Sequence, residues 1–459
     1  MEIIRDIAPH IFRGYDIRGI YGQDLNENVA YTIGKAFATH ILENGNNKCI
    51  VGMDNRASSK DLKKALLDGI TSCGVDVIDI GLVTTPMYYF AWEYFKIYSG
   101  LMITASHNPK EYNGFKFALD ESGNMYGEKI QRFREYILNC TFKEGQGTVE
   151  YKDIYDAYTK HMVSNLDLSK KRLKVVVDVG NGTGAVIVKN IFSRLNIDVT
   201  YLYDNSNPNF PNHHPDPSVE KNTEDLKKEV LRKGADIGIA LDGDADRIGI
   251  IDNTGNYMPA DIYMAVMLES VRDLQERKGQ DTSIIVDVKC SNALEDMARN
   301  LGIKFERYRV GNSYIKSRIK EDNFTLGGEL SGHIFFKDKW PGFDDGIYAG
   351  LRLVEMLANS EEKLSELVAC VPKYYSSPEI KIKSTETRKN EIVEIVRRYC
   401  ENMGYKVNLI DGVRAEFDNY GWVLVRASQT GPDVTLRAEA KTIENMERLK
   451  DEFMKVVEM

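Results

Sequence analysis

The sequence has no Cys-x-x-Cys pair, no low-complexity tract, no excess of positive charge and no long hydrophobic run. Each absence excludes something. Six cysteines (Cys49, Cys73, Cys140, Cys290, Cys370, Cys400) are scattered over 459 residues. That rules out a dense disulfide framework and predicts reduced thiols. No stretch approaches the roughly 18 continuous apolar residues of a membrane helix. Residues 1–10 carry Glu2, Arg5 and Asp6 and no apolar core of a signal peptide, so a cytoplasmic protein without membrane association is expected. A net charge of −9 argues against nucleic-acid binding. An anionic substrate would need local basic pockets. No Gly-x-Gly-x-x-Gly follows a strand, and the Asn181-Gly-Thr-Gly184 turn lacks the Gly-Lys-Ser/Thr of a P-loop, so dinucleotide and ATP sites of those kinds are excluded.

What is present is a pattern repeated three times. Cys49-Ile-Val-Gly-Met-Asp54, Val75 to Ile80 and Leu101 to Thr104 are strand-like, with helical stretches between them. Lys174 to Asp178, Ile197 to Leu202 and Asp236 to Leu241 repeat the order, as do Ser283 to Asp287, Ile303 to Tyr308 and Phe324 to Leu326. Strands alternating with helices at domain-length spacing predict three similar mixed-sheet α/β domains. After Val371-Pro372 the style changes: alternating strands around Gly421 to Ser428 and Asp433 to Ala440, then a final helix. This predicts a C-terminal α+β domain with an antiparallel sheet. The expected domains are 1–150, 151–255, 256–370 and 371–459. Each copy puts its most polar loop after its third strand, where open α/β sheets bind ligands, so the loops are expected to converge on one cleft.

Those loops carry the chemistry. Thr104-Ala-Ser-His-Asn-Pro109 offers Ser106 as a covalent carrier beside His107. Asp242-Gly-Asp-Ala-Asp-Arg247 places three carboxylates at alternate positions, a concentration of like charge that a hard divalent cation such as Mg²⁺ offsets. It starts like an EF-hand loop, but Arg247 stands at the sixth position and Asn253 at the twelfth, where that loop needs Gly and Glu. Three protein oxygens leave room for a phosphate oxygen carried by Ser106. Lys116 and Arg18 are the expected partners in charge neutralisation. Gly328-Glu-Leu-Ser-Gly-His333 offers Glu329 and Ser331 for adjacent sugar hydroxyls and His333 for a proton near neutral pH. In Arg426-Ala-Ser-Gln-Thr-Gly-Pro432, Arg426 suits a bidentate phosphate contact, and Ser428, Gln429 and Thr430 complete a nest.

Together with Tyr15-Asp-Ile-Arg-Gly19 and Asn113-Gly-Phe-Lys116, these motifs resemble, in order and over the whole chain, the α-D-phosphohexomutase superfamily. Phe343-Asp-Asp-Gly-Ile-Tyr348, Val286-Asp-Val-Lys289 and Asp411-Gly-Val-Arg414 are most similar to its phosphomannomutase/phosphoglucomutase group. The phosphoglucosamine mutase group carries a Gly-Thr-Glu-Pro loop where this chain has Gln429-Thr-Gly-Pro432. The resemblance implies a heart-shaped protein around one cleft. It implies Ser106 as a phosphoserine, with Asp242, Asp244 and Asp246 holding Mg²⁺ beside it. It further implies a hexose 1,6-bisphosphate that reorients between two transfers and acts as activator. Lys116, Arg18, His107 and His333 would move protons and balance charge. Tyr15, Arg247, Lys289, Glu329, Ser331, Arg426, Ser428, Gln429 and Thr430 would hold substrate. The expected partners are hexose phosphates, with the protein a monomer or small homo-oligomer. A phosphoglucosamine mutase, a phosphatase and a sugar-phosphate-binding protein with a degenerate site are the other readings of the same residues.

Overall fold

A computed structural model describes residues 1–459 apart from Ser122, Ser169, Asn419 and Thr430. The chain forms two compact units, residues 1–260 with 331–365, and residues 261–330 with 366–459.

The first unit contains two mixed sheets. Strands β1 (Ile17–Ile20), β2 (Lys48–Met53), β3 (Asp76–Leu82), β4 (Gly100–Ile103), β5 (Tyr112–Ala118) and β6 (Val149–Tyr151) run in the order β1-β5-β4-β2-β3-β6. β2 is parallel to β3 and β4, whereas β5 is antiparallel to both its neighbours. Strands β7 (Leu173–Asp178), β8 (Ile197–Leu202), β9 (Ile237–Leu241), β10 (Ile248–Asp252) and β11 (Tyr257–Met258) form the second sheet, ordered β11-β10-β9-β7-β8. The central β4 and β9 are buried along their whole length, as strands covered by helices on both faces must be. The helix Glu27–Glu43 starts at Asn26, whose side chain accepts from Val29 N. Its Gly34 and Gly69 of the helix Ser59–Thr71 let the two backbones touch: a Cβ on Gly69 would lie 2.3 Å from Tyr31 O.

In the second unit the helix Ala260–Arg277 leads to β12 (Ser283–Asp287), parallel to β13 (Lys304–Tyr308) and β14 (Leu326–Gly328). The order β14-β12-β13 repeats β4-β2-β3 and β9-β7-β8. The third strand of this copy, expected over 324–326, lies two residues later. Gly327 and Gly328 give no apolar signal, yet Gly327 lies inside the sheet, where a Cβ would press on the end of the Ile319 side chain at 2.6 Å. The chain returns to the first unit for β15 (Ile334–Phe336) and the buried helix Gly346–Ala358.

The rest is the C-terminal α+β region. Strands β16 (Tyr375–Ser376), β17 (Ile380–Ile382), β18 (Lys406–Asn408), β19 (Val413–Phe417), β20 (Gly421–Ala427) and β21 (Val434–Ala440) form one antiparallel sheet. Alternation sorts its faces. Val413, Ala415, Val423, Val425, Leu436 and Ala438 pack on Ile392 and Val396 of one helix and Leu449 and Phe453 of another. Arg414, Glu416, Trp422, Leu424, Arg437 and Glu439 occupy the other face. No helix among the described residues is long and apolar enough to cross a membrane, and all six cysteines are free.

Candidate active site

In the first unit the loops after β4 and β9 meet. Ser106 sits just past the end of β4 at φ 49°, a left-handed conformation that costs a non-glycine residue about 1 kcal/mol or more. Arg56 holds it there. Its guanidinium, nearly fully buried, donates to four carbonyls of this loop region: Ser106 O (2.7 Å), Asn108 O (2.6 Å), Pro109 O (2.7 Å) and Tyr112 O (3.0 Å). Asp54 balances its charge at 3.2 Å. The Ser106 backbone N donates to Thr104 Oγ1 at 2.9 Å. The metal loop then fits against the serine loop through Gly243, where a Cβ would lie 2.4 Å from Ser106 O. The Asn181 to Gly184 turn supports Gly243 from behind: Thr183 N donates to Gly243 O at 2.8 Å.

Asp242, Asp244 and Asp246 are all fully buried, with ligand oxygens within 4.8 Å of one another. Asp242 Oδ2 accepts from Ser106 Oγ at 2.7 Å, and its Oδ1 accepts from Asp246 N and Arg247 N. Asp244 Oδ2 accepts from Thr85 Oγ1 at 2.6 Å, Thr104 Oγ1 at 3.1 Å and Lys116 Nζ at 3.1 Å. Lys116 Nζ is 2.5 Å from Asp246 Oδ2. The Oδ1 atoms of Asp244 and Asp246 are buried without a hydrogen-bond donor among the described residues. A buried carboxylate oxygen left unmet is costly. A hard cation with oxygen preference fits that deficit, so the residues present suit a divalent metal ion.

Electrostatics follow from this packing. Burial, then Asp246 and Asp244, push the Asp242 carboxyl well above the usual range. For Asp244 burial acts upward, but Lys116 and the hydroxyl of Thr85 override it and hold the group low. Burial alone would discharge Lys116, yet Asp244 and Asp246 keep it firmly an ammonium. Burial, Arg247 and Arg18 drive His107 well below the normal histidine range, so the imidazole 3.2 Å from Ser106 Oγ is neutral at physiological pH.

Arg18 donates to Asp16 Oδ2 at 2.5 Å and Asn108 Oδ1 at 2.7 Å, which ties it to the serine loop. Tyr15 is half-buried and close enough to Arg18 and Arg247 to act on both charges. The side chain of Arg247 donates Nε to His333 Nε2 at 2.9 Å. A guanidinium N–H can only donate, so His333 Nε2 is an acceptor and the ring proton sits on Nδ1. That nitrogen faces Asp344 Oδ2 at 2.8 Å and Asp246 Oδ1 at 3.6 Å. Asp246, His333 and Asp344 form a second grouping with metal-ligand chemistry, but Arg247 already engages its imidazole. Ser331, two residues before His333, is half-buried.

In the second unit the loops after β12 and β14 and before β21 carry the other expected residues. Glu329 follows β14 and its Oε1 accepts from Gly311 N at 2.6 Å. Lys289 is buried, with Glu379 Oε1 at 3.3 Å and Asp287 Oδ2 at 4.0 Å. Burial lowers the Lys289 ammonium and these carboxylates more than restore it. Arg426 pairs with Asp411 at 3.0 Å. Ser428 N donates to Asp433 O at 2.8 Å, and Gln429 Oε1 is buried without a hydrogen bond among the described residues. Thr430 lies outside the described residues. Lys389, which sequence reasoning missed, donates to Ser428 O at 2.8 Å and Gly431 O at 3.1 Å and shapes this loop. Arg56, Thr85 and Asp344 were missed in the same way. Arg56 left a signal, an arginine just past a strand end in Asp54-Asn-Arg56, and Asp344 lies in the Phe343-Asp-Asp-Gly-Ile-Tyr348 motif without a role having been given to it.

Comparison with known proteins matches this geometry to one group. Models described as phosphoglucomutase/phosphomannomutase alpha/beta/alpha domains I, II and III match residues 9–144, 156–255 and 259–374, and the C-terminal domain model of the same name matches 379–456. A phosphomannomutase/phosphoglucomutase of Pseudomonas putida is 40% identical over 97% of this chain and 95% of its own. A phosphoglucomutase of Neisseria gonorrhoeae is 38% identical over 98% of this chain and 97% of its own. The solved structure of a phosphoglucomutase/phosphomannomutase family protein from Burkholderia thailandensis superposes with a TM-score of 0.90 at 35% identity, covering 99% of this chain and 98% of that one. With four domain models matched in sequence order and relatives of this identity over nearly its full length, the chain belongs to the phosphoglucomutase/phosphomannomutase family.

Proposed function

We propose that the protein interconverts hexose 1-phosphates and hexose 6-phosphates, of glucose, mannose or both, by phosphoryl transfer through Ser106. The observation that carries this is Ser106 Oγ held 2.7 Å from Asp242, beside two buried carboxylate oxygens that no donor among the described residues satisfies. A serine phosphate at this position adds oxygens beside the carboxylates that suit Mg²⁺. Asp242, Asp244 and Asp246 would hold the ion, which when bound neutralises phosphate charge. In the first transfer the Ser106 Oγ–P bond breaks and a P–O bond forms to the free hydroxyl of the hexose phosphate. The hydroxyl proton is released to the site, and Ser106 is left as the alcohol. The resulting 1,6-bisphosphate turns over, and the second transfer returns the other phosphoryl group to Ser106. Arg18 and Lys116, both held charged, offset phosphate charge. His107, held neutral, and His333 are the imidazoles for proton movement. Glu329 and Ser331 would grip ring hydroxyls, which do not change when the sugar is inverted. Arg426, Ser428, Gln429 and Thr430 would hold the phosphate that is not reacting, with Tyr15, Arg247 and Lys289 as further contacts.

The test is a panel of glucose, mannose and glucosamine 1-phosphates with Mg²⁺ and catalytic hexose 1,6-bisphosphate, with 6-phosphate product followed. Labelled bisphosphate should leave its phosphoryl group on Ser106, and Ser106→Ala should abolish both labelling and turnover. Free phosphate released as fast as 6-phosphate appears would replace this reading with a phosphatase.

A further inference from the structure

Away from these loops, the second unit contains a cavity of about 540 Å³, a size typical of small-molecule sites. It lies between the helix Asn292–Asn300, β13 and the open edge of the C-terminal sheet. Much of its charge is already matched within the fold. Glu295 pairs with Arg307 at 3.0 Å, Asp296 with Arg299 at 3.1 Å and Glu416 with Arg414 at 2.6 Å. Lys406 and Lys441 also line the cavity and are exposed, and neither forms an ion pair among the described residues; Asp418 is the one lining carboxylate in the same condition. The residual lining is therefore cationic. Two tyrosines complete it. Tyr374 has its hydroxyl fixed on Asp296 at 2.7 Å, and Tyr420 follows the turn after β19. Two ammonium groups without an ion pair among the described residues, in a cavity that aromatic rings also line, suit a ligand with adjacent phosphates and a flat heterocycle.

We propose that this cavity binds a nucleoside diphosphate. Its base would lie against the tyrosines and its diphosphate against Lys406 and Lys441. The site is wired to the loop that carries Lys289. Arg307, at its wall, donates to Cys290 O at 2.9 Å and Asn292 Oδ1 at 2.7 Å. Arg414 donates to the same Asn292 Oδ1 at 2.6 Å and to Val288 O at 2.6 Å. The two carbonyls bracket Lys289. A ligand that shifts Arg307 therefore shifts a residue assigned to substrate; this regulatory consequence, unlike the binding itself, rests on the mutase reading.

Calorimetry of the full chain with UDP and with GDP, in chelator and without sugar phosphate, tests the site apart from the carboxylate centre. At least one nucleotide should bind, and a K406A/K441A double variant should bind it at least about tenfold more weakly. Inorganic pyrophosphate, which lacks the ring, should also bind at least about tenfold more weakly than the nucleotide. Absence of binding, unchanged affinity in the double variant, or pyrophosphate binding equally well would each overturn the proposal. The double variant should keep wild-type turnover of glucose 1-phosphate without nucleotide, because neither lysine belongs to the reaction site. Nucleotide binding by a protein that turns over no hexose phosphate would leave this site standing and sink the mutase reading.

Discussion

Two regions of the molecule bury dense charge, and they resolve it in opposite ways. The carboxylate centre of the first unit places Asp244 and Asp246 against the ammonium of Lys116, with Asp242 alongside, and leaves two carboxylate oxygens without donors among the described residues. Around Trp422 the polar face of the C-terminal sheet is arginine-rich, and there Arg414 and Arg437 are engaged within the fold. Arg414 stacks 3.7 Å above the Trp422 ring, donates to Val288 O and Asn292 and pairs with Glu416. Arg437 donates to Lys289 O, and Glu439 accepts from Trp422 Nε1, Asn292 N and Ser376 Oγ. Burial is common to both, so burial does not mark a reactive site. Unmet valence does: the first region is built to receive something, the second to fasten one part of its own chain to another.

This contrast can be broken experimentally. The largest effect is expected at the centre. Asp242→Ala with Asp246→Ala should lower kcat/KM by on the order of 10³-fold or more, about 4 kcal/mol, and abolish Mg²⁺ binding by calorimetry. A doubly substituted protein that still binds Mg²⁺ at wild-type affinity would refute the ligand assignment. Next, Arg414→Ala should cost about 3 kcal/mol of stability, because Glu416 and buried carbonyls lose their donor. Denaturant titration would read it, and a loss below 1 kcal/mol would mean that the fastening role is wrong. Arg56→Lys comes third. Lysine cannot span four carbonyls, so kcat should fall roughly tenfold to a hundredfold with the Ser106 loop displaced, whereas Mg²⁺ affinity should change less.

The smallest effect concerns Asp345, which accepts from Tyr158 Oη at 2.5 Å and caps the helix Gly346–Ala358. Burial, opposed by the Tyr158 hydrogen bond, raises its carboxyl to about 7. Between pH 4 and 7 the folded protein therefore binds more protons than the unfolded chain, and this group's contribution to stability declines as pH rises through that window. Asp345→Asn removes the group and should flatten the decline by about 2 kcal/mol between pH 5 and 8. Identical pH slopes for the two proteins would show that Asp345 ionises freely when folded.

The parts legible in the sequence are those encoded locally. β9 followed by Asp242-Gly-Asp-Ala-Asp declares both a buried strand and a cation site within about ten residues. The alternation over β20 and β21 declares the antiparallel sheet. What was hidden acts across distance. Arg56 reaches a loop 50 residues away, Thr85 reaches Asp244 across 159 and Arg247 meets His333 across 86. A lone arginine or threonine carries no periodicity, and its partner is chosen by the sheet order. Gly327 was misread for the converse reason: a residue without a side chain leaves no apolar signal.

Gly243 has a consequence for how such a chain can vary over generations. A single methyl group there would collide with the carbonyl of Ser106, 137 positions earlier in the chain. Every codon change at Gly243 that adds a side chain is therefore felt first as a displacement of the Ser106 loop, whatever its chemistry. The two loops act as mould and cast: neither can drift unless the other drifts with it, and an exchange of one loop between relatives succeeds only when its counterpart travels too.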